Sequence, residues 1–315
     1  MLEYSHIYCH TGCCTLLVKA FEAGLHAGYL RQGNLMNIHI LKYLTTGCLL
    51  WRIFLSSVLI LSAYSGGVSA NSIEGKAISI CSDGNYWFPY TFDENGMSRG
   101  LHVDLVTNAL TKLGVKVVIE PLPWKRCLFS AKKGHYDAVI SASFKQGRAE
   151  YLYYPEDAAL GGVSKQRLTQ VEYTILTLKN NAFEFDGDFS KIPEPVRVPL
   201  GYSIADDLSK KGLFVKTSTK GIYNSLRDLV NSRTGSIVTT KDIATLVAKD
   251  KSIALHISSE PIKSKSYFMA FSKKAALTDA ERADIWEGIA AVRGNAALMS
   301  TLLAPYGKNE LTQHR

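Results

Sequence analysis

The stretch KAISICSDGNYWFPYTFDENGMSRGLHVDLVTNALTKLGVKVVIEPLPWKRCLFSAKKGHYDAVIS, residues 76–141, decides the fold. Residues 76–82 interleave apolar and small side chains and read as a strand. Leu101, Leu105, Val106, Ala109, Leu110 and Leu113 fall on one face of a helix that Gly114 stops. A second strand is expected at 115–120, a short helix over 124–133 that ends at Gly134, and a third strand at 136–141. Strands alternating with helices in this order make a parallel, doubly wound α/β sheet.

The alternation recurs downstream. Strands are expected near 196–200, 213–217, 236–239 and 252–257, with helices near 205–211, 221–231 and 241–249. A second lobe is the simplest account of that repeat, and the 315 residues suffice for two lobes and a leader. From Ser266 onward the strand SYFMAFS and helices over 279–292 and 295–303 are placed to complete the first lobe. The expected organisation is lobe 1 from 71–162 and 263–315, lobe 2 from 163–262, and a hinge of two segments near 159–165 and 259–265.

Upstream of the first strand, the run IFLSSVLILSA at 53–63 follows Lys42 and Arg52 and precedes Gly66-Gly67-Val68-Ser69-Ala70. A basic region, a short apolar run and a small-x-small site mark a secretory signal peptide cleaved after Ala70. The run falls short of the roughly 20 residues that span a bilayer. Residues 1–35 have no place in such a leader, and Met36 supplies a conventional start. The expected location is the periplasm.

Hydrophobic residues make up 46% of the chain and charged residues 20%, the balance of a globular protein. Removing residues 1–70 takes away four basic residues (Lys19, Arg31, Lys42, Arg52) and two acidic ones (Glu3, Glu22), so the net charge falls from +8 to +6. That excess is scattered without a polybasic block, which argues against nucleic acid as a partner. Only Cys81 and Cys127 remain beyond the leader, and an oxidising compartment favours their pairing over two separate buried thiols.

In doubly wound sheets ligands bind beyond the carboxyl ends of the strands, so residues just after each strand are the candidates. After the first strand, Asp83 to Tyr90 (DGNYWFPY) holds an acid and four aromatic rings. Tyr86 and Trp87 suit a ligand wall, whereas Phe88 and Tyr90 are expected to pack the lobe. After the second strand come Trp124, which fits a core cap as well as a ligand wall, and Arg126, which fits a solvated charge as well as a ligand contact. After the third, Ser141 and Ser143 offer hydroxyls, and Arg148 offers a guanidinium fork that matches a carboxylate, with a structural salt bridge as the alternative.

These residues and their spacing resemble the bacterial family 3 extracellular solute-binding proteins, which include polar amino-acid binders of ABC transporters. The likeness runs through Pro89-Tyr90, Gly100 with Asp104, Pro123-Trp124, Gly134-x-Tyr136-Asp137-Ala138 and Arg148 with Tyr154-Pro155. It continues through Gly201-Tyr202-Ser203, Tyr267-x-Met269-Ala270-Phe271-Ser272-Lys273 and Pro305-Tyr306-Gly307. The resemblance implies a two-lobed α/β fold of the type II periplasmic-binding-protein kind, acting as a monomer without metal or cofactor. It implies that Arg148 pairs with a solute carboxylate beside Ser141 and Ser143, and that Asp83 and Tyr86 meet the rest of the solute. Ser218 and Thr219 would form an anion-binding helix start in the second lobe. Where amino-acid binders of the family place an acid for the ammonium, this chain has Thr240, with Asp242 two residues on.

The implied function is closure on a small polar, carboxylate-bearing solute, an amino acid in the family's pattern, for delivery to an ABC-transporter permease. Reporting to a sensor protein is the alternative output. A cyclohexadienyl-dehydratase-like enzyme on the same fold is the alternative activity, but the sequence has no His/Asp/Ser set, metal-spaced cluster or phosphate loop to support it. His102 and His135 are expected on helix or turn surfaces and His256 in a hinge strand, while Glu150 and Glu156 flank the Tyr154-Pro155 turn as solvated charges.

Overall fold

The computed structural model describes residues 73–218 and 221–307, with the backbone alone at Ser218. The expected signal peptide and Thr219 lie outside the described residues. The first lobe opens with β1 (Ala77–Asp83), a hairpin of β2 (Phe92–Glu94) and β3 (Met97–Arg99), and α1 (Leu101–Lys112). It continues through β4 (Lys116–Leu122), α2 (Trp124–Lys133), β5 (Ala138–Ser143), α3 (Gln146–Ala149) and β6 (Leu152–Tyr153). β1 pairs in parallel with both β4 and β5, which is the doubly wound arrangement the strand and helix order implied.

A long strand, β7 (Thr169–Leu178), then leads to β8 (Val196–Pro199), α4 (Ser203–Ser209), β9 (Val215–Ser218), α5 (Gly221–Ser232), β10 (Ser236–Thr240), α6 (Lys241–Ala248) and β11 (Leu255–Ile257). A second long strand, β12 (Lys263–Ser272), precedes α7 (Asp279–Gly294) and α8 (Ala296–Leu303). β8 lies between β9 and β10, all three parallel. β7 runs antiparallel to β10, and β12 antiparallel to β5. β7 and β12 pair with each other over Thr169–Tyr173 and Lys263–Tyr267, so one continuous sheet of ten strands carries both lobes.

Two expectations change here. β7 was not among the expected strands, although it supplies half of the crossing between lobes. The expected strand at 252–257 shortens to β11 and pairs antiparallel with β7, because the chain is turning back toward the crossing and not completing another strand-helix-strand unit.

The two ends of the sheet have separate apolar cores. Leu101, Leu105, Val106, Ala109 and Leu110 of α1 are buried against Ile78, Ile80 and Ile140, with Ile285 and Ile289 of α7 in the same cluster. Each of these leucines, isoleucines and the valine contributes about 1.5–3 kcal/mol of transfer free energy. Ile175, Val196, Val198, Leu229, Ile237 and Val238 belong to the other core. α7 starts on a capping box in which Thr278 and Glu281 each satisfy the other's backbone N–H.

Two local devices fix the cleft side of the first lobe. Gly100 has φ 119°, and a Cβ there would stand 2.3 Å from the Tyr90 carbonyl oxygen. Its absence lets Leu101 and His102 donate their backbone N–H groups to Pro89 O and Tyr90 O at 2.8 and 3.0 Å, seating the aromatic loop on the start of α1. Cys81 of β1 and Cys127 of α2, both fully buried, are joined by a disulfide. On chain entropy alone, closing a loop with a 46-residue separation stabilises the fold by about 4 kcal/mol.

Candidate functional site

The carboxyl ends of β1, β4 and β5 converge on one small cavity. Asp83 closes β1, Trp124 opens α2 just beyond β4, Ser141 and Ser143 end β5, and Arg148 stands in α3; all of them line it, as does Trp87. The opposite wall is Tyr202 and Ser203 at the start of α4, with Tyr267 of β12 between the two sides. The cavity offers about 10 Å³ to the centre of a water-sized sphere, roughly the room for one water molecule.

Ser141 is aimed by an irregularity in the sheet. Ala142 faces Phe268 and Val139 faces Ala270, so Ile140 and Ser141 share Met269 as their one opposite residue. Ser141 takes up the extra length with φ 66°, a left-handed conformation that costs a non-glycine residue about 1–2 kcal/mol. Its Oγ is 2.8 Å from Nδ1 of His102, whose Nε2 is 2.7 Å from Thr169 Oγ1 in β7.

The expectation of a surface position for His102 is therefore wrong: its exposure is 0%. Leu101, His102 and Val103 are all buried, because the first turn of α1 is enclosed on every side by the Pro89-Tyr90 loop and the sheet. Burial pushes the imidazole down to about 3, so it is neutral across the physiological range. Bonded to Ser141 on one side and Thr169 on the other, the ring holds the Ser141 hydroxyl in place. His135, by contrast, is exposed.

Arg148 is 4% exposed and has no carboxylate within ion-pair distance among the described residues. Its Nη1 donates to the Ser143 carbonyl oxygen at 3.0 Å and its Nη2 to the Gly201 carbonyl oxygen at 2.9 Å. The guanidinium lies 5.2 Å from the centre of the Trp124 ring. These carbonyls and the ring face take part of its donor capacity, and no carboxylate among the described residues forms an ion pair with it.

Asp83 is the one carboxylate in the lining. Its Oδ1 accepts from the Asn85 backbone N–H at 3.0 Å and its Oδ2 from the Tyr202 hydroxyl at 2.7 Å. Burial raises its carboxyl to about 6, while the Tyr202 hydrogen bond, the Asn85 bonds and Arg148 pull the other way. Desolvation wins.

The two walls touch directly through Asp83 to Tyr202, Arg148 to Gly201, Ser143 Oγ to Ser203 Oγ at 2.6 Å, and the Lys145–Asp206 ion pair. Lys265 of β12 also reaches Ser203 Oγ at 2.7 Å while bonding Asp207 at 2.6 Å. Tyr90 crosses as well, donating its hydroxyl to Asp242 Oδ2 at 2.5 Å.

Asp83, Trp87, Trp124, Ser141, Ser143 and Arg148 are thus brought together, whereas other sequence candidates are not. Tyr86 is half-buried and packs its ring on Phe88, Phe92 and Tyr223. Arg126 is exposed and outside the cavity lining. Thr240 is buried at the N-cap of α6, also outside that lining, and its Oγ1 has no hydrogen-bond partner. Tyr202, Ser203 and Tyr267 were absent from the sequence candidates. The first two follow β8 directly, so the rule that found Asp83 and Ser143 reaches them when applied to the second lobe. Among the described residues no cluster of His, Cys, Asp and Glu could hold a metal ion.

Comparison with known proteins gives the same architecture. A model of bacterial extracellular solute-binding proteins, family 3, matches residues 78–252. No curated protein matches the chain. Similar solved structures include a histidine kinase sensor domain with similarity to periplasmic binding proteins, at TM-score 0.60 and 18% identity, covering 73% of this chain and 95% of that one. The arginine-, lysine-, histidine-binding protein ArtJ from Geobacillus stearothermophilus matches at TM-score 0.58 and 16% identity, over 75% of this chain and 97% of that one. An ancestral amino acid-binding protein described as a precursor of cyclohexadienyl dehydratase matches at 0.55 and 20%, over 74% and 95%. At these identities the likeness is one of fold.

Proposed function

The chain belongs to the bacterial extracellular solute-binding proteins, family 3, and from that premise we propose that it closes on a small polar solute through that solute's carboxylate. The observation that carries this reading is Arg148, a buried guanidinium with no carboxylate within ion-pair distance among the described residues. A carboxylate in the cleft would supply the missing charge and accept two parallel N–H bonds from the guanidinium fork. Ser141 and Ser143 stand at the same end of β5, and Trp87 and Trp124 offer flat apolar walls.

A cavity the size of one water molecule requires the walls to part before a solute enters. The solute's oxygens would then replace the Arg148–Gly201 and Ser143–Ser203 contacts, and only the closed form would complete bonds from both sides. That difference in contacts is what shifts the population toward closure. We place lobe 1 at 71–162 and 263–315 and lobe 2 at 163–262, with the hinge at the two segments near 159–165 and 259–265 that lead into the paired strands β7 and β12. Family membership implies an extracellular or periplasmic protein, and no helix among the described residues is long and apolar enough to cross a membrane. Delivery to an ABC-transporter permease is the output we favour. A sensing role is the second, favoured by the likeness to a kinase sensor domain.

The test is small-angle scattering on residues 71–315 with and without each member of a panel of amino acids, hydroxy acids and oxo acids. At least one carboxylate should reduce the radius of gyration and bind with a dissociation constant in the micromolar range or below. If no carboxylate in the panel binds while the matching amines or amides without a carboxylate, added to it as controls, do, the proposal fails.

A further inference from the structure

Resting on the carboxylate reading above, we infer that His102 is a positioning residue of the solute site, donating from Nδ1 to Ser141 so that the Ser141 hydroxyl proton is free for a solute carboxylate oxygen. His102 is fully buried, and each ring nitrogen meets a hydroxyl: Ser141 Oγ at 2.8 Å from Nδ1 and Thr169 Oγ1 at 2.7 Å from Nε2. The rings of Tyr90, Trp87 and Tyr267 lie around it, their centres 5.0, 5.8 and 6.4 Å from its own. Neither nitrogen bonds a carboxylate, and an imidazole enclosed by rings and neutral hydroxyls is itself neutral, with one donor and one acceptor.

A neutral ring between two hydroxyls has two self-consistent states. In one, Nδ1–H donates to Ser141 and the Thr169 hydroxyl donates to Nε2. In the other both bonds reverse, with Ser141 donating to Nδ1 and Nε2–H donating to Thr169. Either state satisfies the ring, because a hydroxyl can donate or accept, so the choice falls to whatever else the hydroxyls meet.

Ser141 meets the cavity, which it lines together with Arg148 and Trp87. Arg148 brings only donors, and the buried Trp87 indole N–H has no hydrogen-bond partner. Both call for an acceptor, and a carboxylate oxygen is nothing else. Facing that oxygen, the Ser141 lone pairs would repel, whereas its O–H would form a charge-assisted bond about twice as strong as a neutral one. With its single proton spent there, Ser141 can only accept from the ring, which puts the His102 proton on Nδ1. The far end of the chain is Thr169, the first residue of β7, which pairs with Tyr267 where the strands cross between the lobes. A bound carboxylate thereby sets the direction of a hydrogen-bond chain that runs from the solute to the crossing strand.

Two-bond proton–nitrogen spectra of residues 71–315, labelled with nitrogen-15 at histidine, read the tautomer directly. His102 is assigned by the loss of its signals in His102→Asn. Spectra are compared with and without glutamate, lactate, 2-oxoglutarate and the other acids of the panel above. With an acid bound, Nδ1 should carry the proton and Nε2 should not. A bound-state proton on Nε2 overturns the inference and leaves the carboxylate reading standing. This readout uses the wild type, so it does not depend on a variant folding.

Calorimetry with the same acids adds a double-mutant cycle. Ser141→Ala should weaken binding about tenfold, and His102→Phe, which keeps a ring and loses the donor, about fivefold. In the Ser141→Ala background His102→Phe should cost nothing further. His102→Asn, whose amide can donate from the Nδ1 position, should recover most of the affinity. An equal loss from His102→Phe in both backgrounds would show a ring that only fills space, and overturns the inference. If no carboxylate binds, the carboxylate reading falls and takes this inference with it.

Discussion

The two walls of the cleft hold their groups in different ways. On the first lobe, Asp83, Ser141 and Arg148 are buried and braced: a disulfide ties β1 to α2, a bulge turns Ser141 inward, and His102 wedges it against β7. On the second lobe, Tyr202 and Ser203 sit at the start of a seven-residue helix and offer neutral hydroxyls and one carbonyl from Gly201. Within the cavity lining, the charged groups Asp83 and Arg148 lie on the braced first lobe, and the second lobe meets them with hydroxyls and a carbonyl. In the proposed function the first wall recognises the solute and the second latches over it.

The largest expected effect that sharpens this contrast is at Asp83. Burial raises its carboxyl from 3.8 to about 6. The folded protein therefore holds a proton that the unfolded chain has released between those pH values, and stability falls as pH rises through the folded value. The loss is at most about 3 kcal/mol, from about 2 pK units at 1.36 kcal/mol each. Asp83→Asn removes it, so urea unfolding should show the variant gaining stability over wild type on going from pH 4 to pH 8. An identical difference at both pH values would show that Asp83 is not held as a desolvated acid.

A smaller effect is expected across the cleft. Tyr202→Phe deletes the latch hydroxyl at the cost of one hydrogen bond, about 1 kcal/mol, or a roughly fivefold shift from closed to open. Small-angle scattering without solute should show a larger average radius of gyration. An unchanged radius would mean that the second wall is not held through this contact.

How much of this was legible depended on local pattern. The strand and helix order of residues 76–141 could be read because apolar side chains repeat at the periods that a half-buried helix and a buried strand demand. β7 escaped because Thr169, Gln170, Glu172, Thr174 and Thr177 dilute its apolar run, and no helix follows to mark a strand-helix unit. The β2–β3 hairpin carried an available signal in Asn95-Gly96, both at positive φ, but its strands are three residues each. Asp83, Trp87, Ser143 and Arg148 could be found from their place after strands. His102 could not: helical phase places it beside the apolar face of α1, and only the loop folded over Gly100 and the approach of β7 bury it. The register shift opposite Met269 that turns Ser141 inward likewise depends on a strand more than a hundred residues away, and no local pattern reports that.

The account stands on Arg148 as the group that recognises the solute's carboxylate. Calorimetric titration of the tightest carboxylate found for residues 71–315 into wild type and Arg148→Ala measures this most directly. Loss of a buried, charge-assisted fork should weaken binding by about 3 kcal/mol, roughly a hundredfold or more, with circular dichroism unchanged. Equal affinity in the two proteins would contradict the account.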